Sequence, residues 1–171
     1  AKAFTNKVWS ELNTYKNINY IYSRSKIPHL TLIACIEDVH YNELINYLNI
    51  LSRELSEFCI ETKGLGIFLL GTPLFYIRWK YNNELINIRQ KILIDLGMKH
   101  LISKDENYNI DWIAKTTLCF IDTKYDKSFI NVVNTIKGYY LKDMKNIISS
   151  LGIIKYNDLG EELIKEIEFK N

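Results

Sequence analysis

The sequence predicts an α+β fold in which two similar lobes face each other across a groove. Helical and strand-like hydrophobic patterns both occur, and they follow the same order in each half: a strand with two polar residues near its start, a helix, then a hairpin. The two strands cover residues 27–36 and 113–122, an offset of 86 residues that aligns Thr31 with Thr117. This internal echo predicts a bilobal, pseudo-symmetric molecule.

Length and composition predict one cytoplasmic domain over residues 1–171. The chain has 171 residues, 47% of them hydrophobic, which is enough to bury one core. Its net charge of +2 is too small for a nucleic-acid binder driven by charge alone. Cys35, Cys59 and Cys119 are far apart, which favours reduced thiols over a disulfide framework or a metal cluster. No stretch reaches the ~18 apolar residues of a membrane span.

Three amphipathic helices are predicted from apolar residues at helical spacing. The second is expected to stop at Gly97, since glycine is common just past a helix end. The helices cover residues 41–57, 83–96 and 125–136.

Two hairpins are predicted as well. In the first, strands over 60–70 and 74–80 flank a turn signal at 71–73. In the second, strands over 147–156 and 162–169 flank the sequence "NDLG". Apolar and charged residues alternate in the last strand, which predicts that this strand is partly exposed.

The two strands that open the half-repeats carry candidate chemistry. His29 and Thr31 are two positions apart, so they share one face of a strand, ~6.6 Å apart along the chain. Lys115 and Thr117 are related in the same way. If the lobes face each other, these four side chains converge on a phosphate group: the hydroxyls donate to its oxygens, the ammonium balances its charge, and the imidazole transfers a proton.

Each of these residues also has a purely structural interpretation. A His-x-Thr pattern often arises by chance, and a lone histidine is commonly a satisfied core residue or a surface residue. A lysine at the start of a strand is usually solvated. Only the matching positions in the two halves favour a site. His40, at a helix start, and His100, just after Gly97, are expected to be spectators.

Two segments carry a family resemblance: "PHLTLI" at 28–33 and "AKTTLCFI" at 114–121. The first resembles the His-x-Thr/Ser motif of the 2H phosphoesterase superfamily, with its usual preceding proline, and the second matches that motif in part. This superfamily includes the bacterial RNA 2',3'-cyclic phosphodiesterases, also called 2'-5' RNA ligases. The element order extends the resemblance over most of the chain.

The resemblance implies a bilobal fold with two antiparallel-rich sheets lining a central groove and helices outside. It also implies a groove that works without a metal ion or another cofactor. In the family one motif histidine acts as general base and the other as general acid, while the motif hydroxyls hold the phosphate. Carried over by position, His29 takes the place of one histidine, and Thr31 and Thr117 take the phosphate-binding places.

The second motif departs from the family pattern. Lys115 stands where the family has its second histidine, and Ala114 stands where it has a proline. The unperturbed pKa of lysine is ~10.4, against ~6.5 for histidine, so Lys115 serves as a base at neutral pH only if burial lowers its pKa strongly. It can still donate a proton or stabilise charge in the transition state. We therefore expect Lys115 to be an electrostatic partner of His29.

A nucleotide would also need a surface for its bases. In "LFYIRWKY" at 74–81, Tyr76 and Arg78 share one face, which suits stacking on a base and pairing with phosphate. The alternative is an edge strand with a solvated face. Arg24, shortly before His29, is a further candidate for substrate binding.

Three functions remain open on the sequence alone. The first is a phosphoesterase acting on RNA ends or on small cyclic or 2'-5'-linked nucleotides. The second is a binding protein that keeps the groove but has lost turnover, and the third is a globular domain without phosphate chemistry. The expected partner is RNA or a small nucleotide rather than a membrane, and a monomer is the default.

Overall fold

The α+β class is confirmed by a computed structural model of the chain. It describes residues 2–12, 18–19, 27–34, 41–69, 73–99, 101, 111–121, 127–138, 144–157 and 160–170. Four helices and seven strands lie within these residues. In chain order they are α1 Lys2–Leu12, β1 Ile18–Asn19, α2 Tyr41–Leu51, β2 Phe58–Phe68, β3 Leu74–Trp79, α3 Asn83–Met98, β4 Lys115–Ile121, α4 Lys127–Lys137, β5 Lys145–Ile148, β6 Ser150–Asn157 and β7 Gly160–Glu168.

Both predicted hairpins are confirmed. Strands β2 and β3 pair antiparallel, as do β6 and β7. The first hairpin belongs to a five-stranded sheet with the order β1-β4-β3-β2-β5, and β6 and β7 form a separate two-stranded sheet. Ile167 is buried on β7 while Ile164 is exposed, which agrees with the partial exposure predicted for the last strand.

The lobes do not coincide with the two halves of the sequence. The hairpin of the first half pairs with β4 of the second half, where Arg78 lies opposite Lys115. The hairpin of the second half, β6 and β7, buries its apolar side chains with those of α2 and α3 instead. Because each hairpin covers elements from the other half, neither half closes a core alone.

Two hydrophobic cores define the bilobal architecture. One joins α1 and α4 to the five-stranded sheet, and the other joins α2 and α3 to the β6–β7 hairpin. Leu32, Phe58 and Ile148 pack against both cores and so lie where the lobes meet. The buried members of the first core include Val8, Phe75, Ile77, Trp79, Leu118 and Val132. Those of the second include Leu44, Leu48, Ile88, Ile92, Leu96 and Ile153.

The helices follow the predictions with small differences in extent and one addition. Asn82 caps α3, its side chain accepting a hydrogen bond from the Leu85 amide at 2.8 Å, and α3 runs one residue past Gly97. Helix α2 ends at Leu51 rather than at residue 57, and the amides of Arg53 and Glu54 bond the carbonyls three residues before them. Helix α1 was not predicted. No described helix is long and apolar enough to cross a bilayer.

The predicted strand over 27–36 is not formed in its described part, residues 27–34. Pro28 has no amide hydrogen to contribute to a ladder. The carbonyls of Thr31 and Leu32 accept hydrogen bonds from side chains, at 3.0 Å from Trp112 Nε1 and 3.2 Å from Arg89 Nε. Side chains therefore fix this segment where a neighbouring strand was expected to do so.

Candidate active site

A cavity of about 870 Å³ brings together residues from both halves of the chain. Its lining residues belong to both hydrophobic cores, and most of them are apolar. Against this apolar background, His29, Thr31 and Lys115 line the same cavity. Three of the four residues expected to surround a phosphate therefore meet at one place.

The motif segment 27–34 is positioned by a tryptophan and an arginine. Trp112 donates to the Thr31 carbonyl, and Arg89 donates to the Leu32 carbonyl. The Arg89 guanidinium carbon lies 4.8 Å from the centre of the Trp112 ring, a cation–π distance. Tyr81 donates from its hydroxyl to the Trp112 carbonyl at 2.6 Å. The two donors to the segment thus support each other.

The hydrogen bonding of His29 determines which ring nitrogen is open to substrate. Nδ1 lies 3.1 Å from the Ile27 carbonyl oxygen. A carbonyl oxygen only accepts, so this hydrogen bond requires the proton on Nδ1 and leaves Nε2 with a lone pair. Nε2 is therefore the nitrogen that can accept a proton from water.

Glu161 is the acidic partner of His29. A Glu161 carboxylate oxygen lies 3.9 Å from His29 Nδ1, and the two side chains are 4% and 20% exposed. Because so little of either side chain meets water, this charge is screened less than that of a surface pair. The arrangement places a carboxylate next to the imidazole ring.

Tyr156 completes this cluster from β6. It lies directly opposite Glu161 in the β6–β7 ladder and lines the cavity. Burial raises the pKa of Tyr156 to about 12, and the charge of Glu161 and a hydrogen bond to its carboxylate add to this effect. A hydrogen bond with Thr31 acts in the opposite direction. No sequence pattern predicted a role for Tyr156 or Glu161. The feature of the sequence that could have identified them is their position directly before and after "NDLG", because residues that flank a hairpin turn face each other across the two strands.

Lys115 enters the cavity from the start of β4. Burial lowers its pKa, since removal from water disfavours the charged form. Its cross-strand neighbour is Arg78, so two cationic side chains lie side by side on this face of the sheet. The start of β4 therefore brings an amino group into the same cavity as His29.

The threonine on β4 that lines the cavity is Thr116. Its Oγ1 accepts a hydrogen bond from Trp79 Nε1 at 3.0 Å, which leaves its own proton to donate. Among the described lining residues Thr117 is absent; it pairs with Tyr76 in the β3–β4 ladder. This differs from the expectation that Thr117 faces the phosphate.

The expected substrate-binding residues are placed differently from one another. Tyr76 is only 6% exposed, and its ring stacks on Phe68 with 4.9 Å between ring centres, so this ring is not an open platform for a base. Arg78 is partly exposed beside Lys115, but it is not among the described residues that line the cavity. Arg24, like His40 and His100, lies outside the described residues.

Metal ligands do not cluster in the part of the chain that the structure describes. Within it, no group of three or more histidine, cysteine, aspartate and glutamate side chains is arranged to hold an ion. The polar side chains of the cavity include an imidazole, hydroxyls and ammonium groups, with a carboxylate next to the imidazole. This set suits proton transfer and anion binding.

Comparison with known proteins gives a match in structure but none in sequence. No protein-family model matches the chain, and no curated protein matches its sequence. A crystal structure of TT0787 from Thermus thermophilus is similar, with a TM-score of 0.68 over 98% of this chain and 91% of that one. The two sequences are 12% identical, so the similarity shows the fold alone. It supports the bilobal architecture.

Proposed function

We propose that this chain is a phosphoesterase of the 2H type, acting without a metal ion on RNA ends or on small cyclic or 2'-5'-linked nucleotides. The observation that carries the proposal is the common cavity of His29, Thr31 and Lys115, which come from opposite halves of the sequence. The resemblance of segments 28–33 and 114–121 to the 2H motifs supports the same assignment. The proposal includes a cytoplasmic location, because Cys59 and Cys119 are free thiols and a reducing compartment preserves thiols.

On a 2',3'-cyclic phosphate the reaction would begin at His29. Its Nε2 accepts a proton from water while the water oxygen attacks phosphorus, and Glu161 stabilises the resulting imidazolium. The Thr31 hydroxyl donates to a non-bridging oxygen, and the ammonium of Lys115 balances the charge that builds up on the phosphoryl oxygens. The bond from phosphorus to one ribose oxygen then breaks, and that oxygen needs a proton.

A binding protein without turnover is the second candidate. The observation that favours it is Lys115, which occupies the place of the second motif histidine. In this case His29, Thr31 and Lys115 hold the phosphate of a nucleotide, and no bond is broken. Arg78, beside Lys115, would add to the attraction for an anion.

The decisive experiment incubates the purified, metal-free protein with 2',3'-cyclic nucleotides and 2'-5'-linked oligonucleotides, and measures both product and binding. A phosphoesterase forms product, and His29→Ala removes turnover while sparing affinity. A binding protein forms none, and Lys115→Ala weakens its affinity for the nucleotide. Absence of both product and binding would reject phosphate chemistry altogether.

Lys115→His tests the departure from the family motif. A large gain in rate would show that the lysine is a degenerated acid–base position. A loss would show that the lysine has a role of its own, which is the outcome we expect if its charge stabilises the transition state.

A further inference from the structure

The proposed reaction needs a second group that handles a proton. His29 is committed to the attacking water, and the departing ribose oxygen must be protonated as its bond to phosphorus breaks. The second motif histidine, which would supply this proton in the 2H family, is replaced by Lys115. The structure offers another donor in the same cavity.

We propose that Tyr156 is the general acid of this site, and that its phenolic O–H protonates the ribose oxygen that leaves phosphorus. This inference rests on the proposed function, but it concerns a residue that the 2H motifs do not contain. It assigns the second proton transfer, to the leaving ribose oxygen, to a residue of the β6–β7 hairpin.

The position of Tyr156 is the first argument. It lines the cavity together with His29 and Thr31, and its hydroxyl forms hydrogen bonds with Thr31 and Glu161. Glu161 in turn lies against His29. The phenol is thus joined to the phosphate-binding hydroxyl on one side and to the partner of the base on the other. The residue is 61% exposed, which leaves the ring accessible to a ligand.

The acidity of the phenol is the second argument. With a pKa of about 12, Tyr156 carries its proton at neutral pH, which a general acid requires, but it is a weaker acid than an ordinary tyrosine. The transfer becomes favourable only as the P–O bond lengthens and the ribose oxygen gains the basicity of an alkoxide. The negative charge of Glu161 then opposes a lasting phenolate and favours its reprotonation.

The steps balance without a further reactant. One P–O bond forms from water, and the water proton goes to His29. One P–O bond to ribose breaks, the electron pair stays on the ribose oxygen, and that oxygen takes the proton of Tyr156. The imidazolium of His29 finally returns its proton to the phenolate, directly or through solvent. Among the described residues, the titratable side chains that line the cavity with Tyr156, or contact its hydroxyl, are His29, Tyr41, Lys115, Lys155, Glu161 and Glu166.

A comparison of leaving groups tests the assignment. Tyr156→Phe keeps the ring and removes only the hydroxyl. The substrates are uridine 2',3'-cyclic phosphate, whose leaving alkoxide needs a proton, and thymidine 3'-(p-nitrophenyl phosphate), whose p-nitrophenolate does not. We expect kcat on the cyclic phosphate to fall by about 10²- to 10⁴-fold, the usual contribution of a general acid, and kcat on the nitrophenyl ester to stay close to the wild-type value.

Two further variants serve as references. Tyr41→Phe removes another hydroxyl from the same cavity and should leave both rates unchanged. Lys115→Met should slow both substrates alike, because both develop charge on phosphoryl oxygens. Equal losses on the two substrates with Tyr156→Phe, or no loss on either, would overturn the role of Tyr156 while leaving the phosphoesterase in place. A wild-type protein that cleaves neither substrate would overturn the proposed function and this inference with it.

A second measurement covers the case in which only the cyclic phosphate is a substrate. Incorporating 3,5-difluorotyrosine at position 156 makes the phenol more acidic and should move the alkaline limb of the pH–rate profile to lower pH. An alkaline limb that does not move would contradict the assignment.

Discussion

A carboxylate oxygen of Glu161, near the start of β7, lies 3.9 Å from Nδ1 of His29 in the first motif. The two residues come from opposite halves of the chain, and nothing in either local pattern connects them. The second hairpin therefore completes the environment of the first-motif histidine. In this way the exchange of hairpins between the halves determines the chemistry of the site as well as the fold.

The first prediction concerns that pair. Glu161→Gln removes the negative charge and keeps the size of the side chain, so the imidazolium of His29 loses its stabilising partner. We expect kcat on a 2',3'-cyclic phosphate to fall by about 10- to 100-fold, equivalent to roughly 1.4–2.8 kcal/mol of transition-state stabilisation, with KM nearly unchanged. Glu161→Asp should restore part of the rate because it restores the charge.

Glu166→Gln is the matched control for this substitution. Glu166 lies on the same strand and lines the same cavity, but it is exposed and accepts a hydrogen bond from Ser150 at 2.8 Å. We expect its loss to leave kcat within about twofold, as for most exposed charges. Equal losses at positions 161 and 166 would show that Glu161 has no special relation to His29.

The sequence predicted the elements whose signals are local. Helical spacing located α2 and α3 and the turn signals located both hairpins, because these elements are held by hydrogen bonds between near neighbours in the chain. The motif analysis also identified His29, Thr31 and Lys115, which line one cavity. A pair of polar residues at the same point of each half was sufficient to find them.

The remaining features depend on contacts between distant segments. Hydrophobicity predicted that the described residues 27–34 belong to a strand, but the carbonyls of Thr31 and Leu32 accept hydrogen bonds from Trp112 and Arg89. No periodic pattern in the sequence links these two donors to the segment. Tyr76 alternates like a surface residue, yet Phe68 covers it from β2. Glu161 is a charged residue directly after a turn signal, a position that is usually exposed. Only the packing of the hairpin against His29 buries its side chain.

The second prediction concerns the donor that holds the motif segment. Trp112→Phe keeps a ring next to Arg89 but removes the hydrogen bond to the Thr31 carbonyl. We expect the free energy of unfolding to fall by about 1–2 kcal/mol, as for other lost hydrogen bonds to partly buried acceptors. We also expect kcat on the cyclic phosphate to fall about tenfold, because the segment that carries His29 and Thr31 loses one of its two side-chain donors.

Trp9→Phe separates the effect on stability from the effect on kcat. Trp9 Nε1 makes the same kind of bond, to the Leu118 carbonyl at 2.8 Å, but it does so from α1 and does not line the cavity among the described residues. This variant should lose similar stability in a denaturant titration and retain its kcat. A rate that falls equally in both variants would mean that Trp112 acts on stability alone.

The third prediction concerns the contact between Gly66 and Tyr76. The Tyr76 ring lies where a Cβ on Gly66 would be, so Gly66→Ala forces the ring or the strand to move. We expect a loss of about 1–3 kcal/mol, the usual effect of overpacking, measured by chemical denaturation. In a Tyr76→Leu background, where the space is open, the same substitution should have a much smaller effect. An equal loss in both backgrounds would place the cause in the backbone of β2 instead.

The last prediction concerns the buried ammonium of Lys115. Because its pKa is lowered on folding from an ordinary 10.5, the unfolded chain binds more protons between the lowered value and 10.5, and stability rises with pH across that window. Below the window the folded chain bears the full cost of burying the charge. Lys115→Met removes that cost, so we expect Tm at pH 7 to rise and the gain to shrink as the pH approaches 10.5. Lys63→Met, at an exposed position on β2, should not change Tm. Equal Tm changes in the two variants would contradict a specific cost of burying the Lys115 charge. A Lys115→Met variant that is more stable but binds phosphate less tightly would show that the chain retains a destabilising charge for its function.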